Sequence, residues 1–240
     1  IIQLLIFYRL EDKSQYYSGS DWHLLDDINA EILFLGNSRT ITHINPKIID
    51  STYNTNSLIL GQKGYGIRLL YQKLKFYLSL NNAPNEIYIQ LDAFLYDPDK
   101  FFEPHNFSMY HFNDYINLSF LNGYEGYYRW FRYIPVFANN PKTLFRILFD
   151  NRVKPSGDFF LQKGYYPENG NLKLDDIERK VNISIDEKQI VYIDSLFELQ
   201  KEKLFDLYFY YPPVYYPYFK KFENLETVSY THLTLPTKRI

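Results

Sequence analysis

The residue with the clearest chemical potential is Ser38, which follows Gly36 and Asn37. The apolar run at residues 32–35 precedes this turn and has the length and composition of a buried parallel strand. Gly36 and Asn37 both tolerate a sharp turn, so Ser38 is expected at the carboxyl end of the strand, where open α/β sheets bind ligands. A serine hydroxyl there can attack an acyl carbon if a nearby base takes its proton. The alternative interpretation is an ordinary turn serine.

The base for such a nucleophile is not evident from the sequence. The histidines are His23, His43, His105, His111 and His232. His43 lies close to Ser38 in the chain, but a partly exposed histidine between a loop and a helix is the simpler interpretation. No histidine and carboxylate spacing resembles a zinc site, and the absence of cysteine excludes thiolate ligands and disulfides. We therefore predict neither a metal nor a cofactor.

Short strands and the helices between them must position the serine. The apolar runs predict strands at residues 32–35, 57–60, 86–91 and 205–210. Asn45 and Pro46 predict a capped helix to about residue 51, and helical spacing of apolar residues predicts another at 66–80. Ser184 and Glu187 form a capping-box pattern before a further helix. This alternation predicts an α/β fold with a parallel sheet, in which the loops after the first three strands share one edge.

The remaining segments depart from this rhythm. Residues 97–183 are rich in tyrosine and phenylalanine and predict a mostly helical insertion, whose aromatic side chains either pack or line a cleft. Residues 1–27 predict a linker that begins either as the end of a membrane anchor or as a buried first element. Residues 228–237 resemble the translated end of a transposon-based sequencing adapter, so 228–240 are treated as an artefact tail. We expect a final strand and helix of the fold to be missing.

Composition narrows the classes of partner. The chain has 240 residues, which suits one α/β domain with a sizeable insertion. The net charge of −2 gives no electrostatic reason to expect nucleic acid binding. Aromatic residues make up 20% of the chain, but tyrosine and phenylalanine share AT-rich codons with asparagine, isoleucine and lysine, which are also frequent here. The aromatic content is therefore weak evidence for a binding surface.

The segment Gly36-Asn37-Ser38-Arg39 resembles the first block of the SGNH/GDSL hydrolase superfamily. It is most similar to the membrane-anchored bacterial members, and the resemblance covers residues 28–92 and 184–225. The resemblance implies a flavodoxin-like three-layer α/β/α fold of residues 28–227, with Ser38 as the nucleophile. It also implies a location in the cell envelope, with an anchor upstream of residue 1, although a cytoplasmic location stays open.

The other family blocks match in part. Gly64 resembles the glycine that donates a backbone N–H to the oxyanion, and Asp92 stands where the family has a donating asparagine. An ionised carboxylate only accepts hydrogen bonds, so either Asp92 is protonated, or Gln90 donates instead, or the oxyanion hole is weaker. The family's late Asp-x-x-His block has no counterpart, because Ser229 stands where His232 would need an aspartate.

These matches imply a fragment of an SGNH-type serine esterase or acyltransferase. Its substrate would be an acyl ester, plausible examples being O-acyl groups of cell-envelope glycans. Arg39 would orient the turn or bind an acidic group of the substrate. A catalytically silent SGNH-like domain that binds a glycan or a partner is the alternative. A third, weaker option is a phosphate-binding loop near residues 61–66.

Overall fold

The structure is a computed structural model that describes residues 27–61, 66–91, 163–165, 167, 182, 187–213 and 223. The described residues belong to two compact units: residues 27–28 and 72–82 form part of one, and the others belong to the second. The predicted linker up to residue 26, most of the predicted insertion and the predicted artefact tail lie outside the described residues.

Strands and helices alternate along the described chain, as predicted. In chain order they are β1 (Ile32–Leu35), α1 (Ser38–His43), α2 (Pro46–Tyr53), β2 (Ser57–Ile59), α3 (Ile67–Leu80), β3 (Glu86–Gln90), α4 (Glu187–Lys203) and β4 (Asp206–Tyr210). Asn45 caps α2 as predicted, because its side chain accepts a hydrogen bond from the backbone N–H of Lys47. The proposed cap of α4, Ser184, lies outside the described residues.

The four strands form one parallel sheet in the order β2-β1-β3-β4. The predicted α/β class with a parallel sheet is therefore confirmed. From β1 the chain moves to β2 on one side and then returns to β3 on the other side. The strand order thus reverses at β1, and the carboxyl ends of β1 and β3 flank the position where open α/β sheets bind ligands.

One face of the sheet is almost completely buried along β1 and β3. Successive side chains of a strand point to opposite faces, so Leu33 and Leu35 share a face with Ile87 and Ile89, and these four are at most 1% exposed. Helix α4 packs on this side, where the rings of Phe197 and Phe209 meet edge to face with centroids 5.9 Å apart.

The opposite face carries an aromatic ladder that we define as Phe34, Tyr88 and Tyr208. These residues are aligned across β1, β3 and β4, and their rings stack at centroid distances of 5.2 and 5.0 Å. Exposure rises along the ladder, from 8% at Phe34 to 43% at Tyr208. The ladder therefore begins in the core and ends at the surface beside β4.

The outer edge of β2 is covered by Lys163, whose carbonyl accepts a hydrogen bond from the Ile59 N–H at 3.0 Å. The Lys163 ammonium pairs with Asp50 of α2 and donates to Asn56 Oδ1 at 2.8 Å. Asp50 Oδ1 also accepts hydrogen bonds from the backbone N–H and the hydroxyl of Ser57, at 2.7 and 2.6 Å. One carboxylate thus links helix α2, strand β2 and a segment more than a hundred residues away in the chain.

The described residues of the other unit include the second part of α3. The backbone N–H of Ile28 donates to Asn81 Oδ1 at 2.7 Å, and Asn81 Nδ2 donates to the carbonyl of Tyr77 at 3.0 Å. Tyr77 is completely buried, and Leu74, one turn earlier, is too. The predicted helix is confirmed, although its burial is not confined to one face, because the intervening Gln72 and Lys73 are buried as well.

The Tyr88 hydroxyl supplies a prediction about proton binding. It donates to Glu86 Oε2 at 2.7 Å, and this hydrogen bond, followed by burial and the charge of Glu86, raises the pKa of Tyr88 to about 12. We expect Glu86→Gln to lower this pKa toward the ordinary value of about 10, because a neutral amide does not stabilise the phenol in the same way. The measurement is the ultraviolet titration difference between each protein and its Tyr88→Phe counterpart.

The same pair contributes to stability in a defined pH range. Because the folded-state pKa of Tyr88 is raised, its stabilising contribution is complete below about pH 10 and is lost as the pH rises toward about 12. Glu198→Gln is the matched control, since Glu198 is an exposed carboxylate that pairs with Lys201 on α4. An unchanged Tyr88 titration in Glu86→Gln would contradict the assignment.

Candidate functional site

The turn between β1 and α1 contains only two residues. β1 ends at Leu35, Gly36 and Asn37 follow, and Ser38 is the first residue of α1. Asn37 has extended backbone angles, and its Oδ1 accepts a hydrogen bond from the Arg39 N–H at 3.0 Å. This side chain satisfies one of the N–H groups that have no partner within the first helical turn. Ser38 is therefore held at the start of a capped helix rather than in a longer loop.

The side chain of Gln90, the last residue of β3, is hydrogen-bonded to this turn. Gln90 Oε1 accepts hydrogen bonds from the Asn37 backbone N–H at 3.1 Å and from Thr40 Oγ1 at 2.6 Å. Gln90 Nε2 donates to Asn37 Oδ1 at 3.0 Å. Gln90 and Thr40 are completely buried, and Asn37 is 9% exposed. Three buried hydrogen bonds thus attach the turn and the first part of α1 to β3.

Tyr210, the last residue of β4, extends these contacts. Its hydroxyl lies 2.6 Å from Thr40 Oγ1. Burial raises the pKa of Tyr210, and the charge of Arg39 lowers it by less. The phenol is consequently protonated at neutral pH and is available as a hydrogen-bond donor.

The end of β2 lies against the same turn. A Cβ atom added at Gly61 would lie 2.6 Å from Ile41 Cγ1 and 3.1 Å from the carbonyl oxygen of Gly36. The Leu60 N–H also donates to the carbonyl of Phe34 at 2.8 Å. The carboxyl ends of β1, β2 and β3 therefore meet at one edge, which confirms that part of the sequence prediction.

Arg39 provides positive charge beside Ser38. Both residues are half-buried, and the Arg39 guanidinium lies over the ring of Tyr211, 5.8 Å from its centroid. Tyr211 follows β4 and is 49% exposed. The charge of Arg39 lowers the pKa of both Tyr210 and His43, although burial is the larger influence in each case. The charge of Arg39 therefore acts on titratable side chains of both α1 and β4.

His43 is the only histidine within the described residues, and it does not lie beside Ser38. The two occupy opposite ends of α1, which at 1.5 Å per residue separates them by roughly 7 Å along the helix axis. His43 is exposed, and partial burial followed by the charge of Arg39 lowers its pKa. The structure thus agrees with the simpler interpretation of His43 as a surface residue.

Two predicted site residues, Gly64 and Asp92, lie outside the described residues. The alternative that Gln90 donates to an oxyanion does not agree with the structure. Gln90 is completely buried, and its amide is engaged with Asn37 and Thr40. Its role is to hold the turn, because a side chain without exposed surface does not meet a substrate.

No family model, curated protein or solved structure matches the chain. The chemistry of the site therefore has to be inferred from its own residues.

Within the described ranges, no group of three or more histidine, cysteine, aspartate or glutamate residues could hold a metal ion. None of the described helices combines the length and the apolar character needed to cross a membrane.

Sequence reasoning missed the support that Thr40 and Tyr210 give to the turn. The available signal was Gln90, a glutamine that follows the run Ile87 to Ile89, since a polar side chain in a buried strand requires a partner. Nothing in the sequence identified that partner, because Gln90 and Thr40 are separated by fifty residues in the chain.

Proposed function

We propose that this chain carries the nucleophile of an SGNH-type serine esterase or acyltransferase. The observation that supports this most directly is the position of Ser38. It starts a capped helix immediately after the central strand β1, at the edge where the strand order reverses. A serine that is half-buried there can meet a ligand bound at the sheet edge while its backbone is fixed by Asn37 and Gln90.

The strand order supports the finer fold proposal as well. The order β2-β1-β3-β4 agrees with the first four strands of the flavodoxin-like arrangement, whose ligands bind between the first and third strands. In the proposed fold a fifth strand and a further helix follow β4, and a helical insertion lies between β3 and α4. These features stay part of the proposal, as does the extracytoplasmic location.

The proposed reaction is acyl transfer through a covalent intermediate. The Ser38 oxygen attacks the ester carbonyl while a base removes its proton, and the alcohol leaves with a proton returned by that base. The backbone N–H groups of Ser38 and Gly64 would stabilise the oxyanion. We propose that the catalytic histidine and aspartate belong to natural sequence downstream of residue 227. Water or a second alcohol then accepts the acyl group, giving hydrolysis or transfer.

The proposed substrate is an acyl ester on a cell-envelope glycan. This substrate class comes from the family resemblance, since a fold can host many chemistries. Arg39, which follows Ser38 in the chain and lies over Tyr211, adds a preference among such substrates. Its positive charge would favour an ester whose glycan or acyl part carries an anionic group.

Labelling with a fluorophosphonate probe tests the proposal. In the protein translated from the uninterrupted gene we expect Ser38 to be labelled, because the probe reacts with a serine activated by a base. Ser38→Ala should abolish labelling, and Ser51→Ala should not change it, since Ser51 is an exposed serine on α2. The 240-residue chain itself is expected to be unlabelled. Labelling at any residue other than Ser38 would contradict the assignment of Ser38 as the nucleophile.

A catalytically silent binding domain is the second candidate. It is favoured by the distance of His43 from Ser38 and by the carboxylate of Asp92 at the proposed oxyanion position. The uninterrupted gene separates the two candidates. An Asp-x-x-His block downstream of residue 227 supports the enzyme, and its absence supports the binding domain.

A further inference from the structure

We propose that Gln90 is a positioning residue for Ser38, and that it works with Thr40 and Tyr210 through hydrogen bonds whose donor direction is fixed. This inference rests on the proposed role of Ser38 as a nucleophile. Gln90 is hydrogen-bonded to the turn and has no exposed surface, so it acts through Asn37 rather than by contact with a substrate.

The donor direction follows from the chemistry of each group. The Asn37 backbone N–H can only donate, so the Gln90 atom 3.1 Å from it must be the carbonyl oxygen Oε1. That oxygen can only accept, and Thr40 therefore donates its hydroxyl proton to it at 2.6 Å. A threonine hydroxyl has a single proton, so the remaining bond at 2.6 Å must be donated by Tyr210. Donation runs from Tyr210 through Thr40 to Gln90.

The second arm of the Gln90 amide completes the arrangement. Its Nε2 donates to Asn37 Oδ1 at 3.0 Å, and the same oxygen accepts from the Arg39 N–H at 3.0 Å. Gln90 thus binds both the backbone and the side chain of Asn37. The backbone N–H groups on either side of Ser38 are in this way fixed relative to β3, which would set the position of the serine.

This arrangement requires one side chain that both accepts and donates. A glutamine amide satisfies the requirement at every pH. A protonated glutamic acid satisfies it too, since one oxygen accepts and the O–H donates to Asn37 Oδ1. An ionised glutamate does not, because it only accepts and places negative charge against the Asn37 oxygen. Gln90→Glu should therefore convert a permanent support into one that depends on pH.

The pH range of that switch follows from burial. A glutamate free in water has a pKa of about 4.3, and complete burial raises it, by up to several units in fully buried sites. Tyr210 of β4 reaches Gln90 through Thr40, and the charge of Arg39 on α1 acts on Tyr210. Arg39 favours the carboxylate and limits the rise, whereas Tyr210 stays protonated. We expect the midpoint between about pH 5 and 8.

Amide hydrogen exchange at Asn37, measured by NMR from pH 5 to 9, tests the positioning independently of catalysis. In the natural sequence we expect protection that does not change with pH after correction for intrinsic exchange. In Gln90→Glu we expect the same protection at low pH and a loss of at least about tenfold above the midpoint. The amide of Ile89 serves as the internal reference. Global unfolding would lower the protection of both amides, whereas a local opening of the turn would lower the protection of Asn37 alone. Gln200→Glu is the matched control, because Gln200 takes no part in these contacts.

Fluorophosphonate labelling of the protein from the uninterrupted gene gives the second readout. We expect the labelling rate at Ser38 in Gln90→Glu to fall over the same pH range as Asn37 protection. Tyr210→Phe should lower protection by less than the ionised glutamate does, because Thr40 still donates to Gln90. If Gln90→Glu does not fold, Asn37 protection in Tyr210→Phe and in the unchanged protein can still be compared.

The outcomes are separable. Asn37 protection in Gln90→Glu that equals the unchanged protein at every pH would overturn the inference. So would a labelling rate that keeps its ordinary pH profile while Asn37 protection falls. If Asn37 protection switches with pH but the unchanged full-length protein is never labelled, the support of the turn by Gln90 is upheld and the proposed nucleophile is rejected.

Discussion

Replacing Gly36 with alanine is expected to lower the free energy of unfolding by about 3 kcal/mol. The added Cβ would overlap with Thr40 Oγ1 and would lie 2.5 Å from Gln90 Oε1 and 2.8 Å from Gln90 Cβ. Both neighbours are completely buried and hydrogen-bonded to each other, and Gln90 is also hydrogen-bonded to Asn37. Relief of the clash therefore breaks buried hydrogen bonds, so the overpacking and the loss of polar contacts act together. Urea denaturation measures the change.

A matched control is Lys47→Ala on α2, an exposed position where we expect a change within about 0.5 kcal/mol. The structure also predicts where the damage appears. Gly36→Ala should lower the amide protection of Asn37 more than that of Ile89, because the clash lies at the turn and not within the sheet. A variant as stable as the unchanged protein would show that the turn does not approach Gln90 as closely as described.

The strands and the longer helices of the described region were predictable because each has a local signature. Residues 32–35 and 86–91 are short apolar runs, and the Asn45-Pro46 pair starts a helix through capping and a fixed backbone angle. The predicted boundaries of the four strands, of α2 and of α3 agree with the structure to within two residues. The parallel sheet followed from the alternation of these elements, since parallel neighbours need a long connection between them.

The contacts that support the turn could not be predicted in the same way. Ser38 was recognised from its neighbours in the chain, but Gln90, Thr40 and Tyr210 come from three different elements. Their contacts depend on the lateral order and register of β1, β3 and β4, which hydrophobic patterns do not specify. Of the three alternatives for the oxyanion hole, donation by Gln90 does not agree with the structure, because the sequence did not reveal that its amide is already engaged.

The contact of Lys163 with β2 was hidden for a related reason. The sequence placed position 163 within an aromatic-rich insertion, and no local pattern there indicates a partner. In the structure its carbonyl bonds to Ile59 and its ammonium reaches Asp50. A charged pair between residues more than a hundred positions apart is determined only by the folded chain, so it was open to discovery but not to prediction.

Asp50→Ala is the second substitution with a large expected effect, about 3 kcal/mol of lost stability. Its carboxylate accepts from the Ser57 N–H and hydroxyl, and Ser57 is completely buried at the start of β2. Alanine leaves both donors without this acceptor in a site with little access to water, and it also removes the pair with Lys163. Asp50→Asn should lose less, since an amide oxygen still accepts from Ser57.

A double-mutant cycle separates the two functions of this carboxylate. Lys163→Met should cost only about 1 kcal/mol, because the lysine side chain is 35% exposed and surface screening weakens the pair. The double variant should then be about as unstable as Asp50→Ala alone, since both changes remove the same ion pair. If Lys163→Met costs as much as Asp50→Ala, the ion pair rather than the bonds to Ser57 would dominate. Equal stability of Asp50→Ala and the unchanged protein would contradict the described contact between α2 and β2.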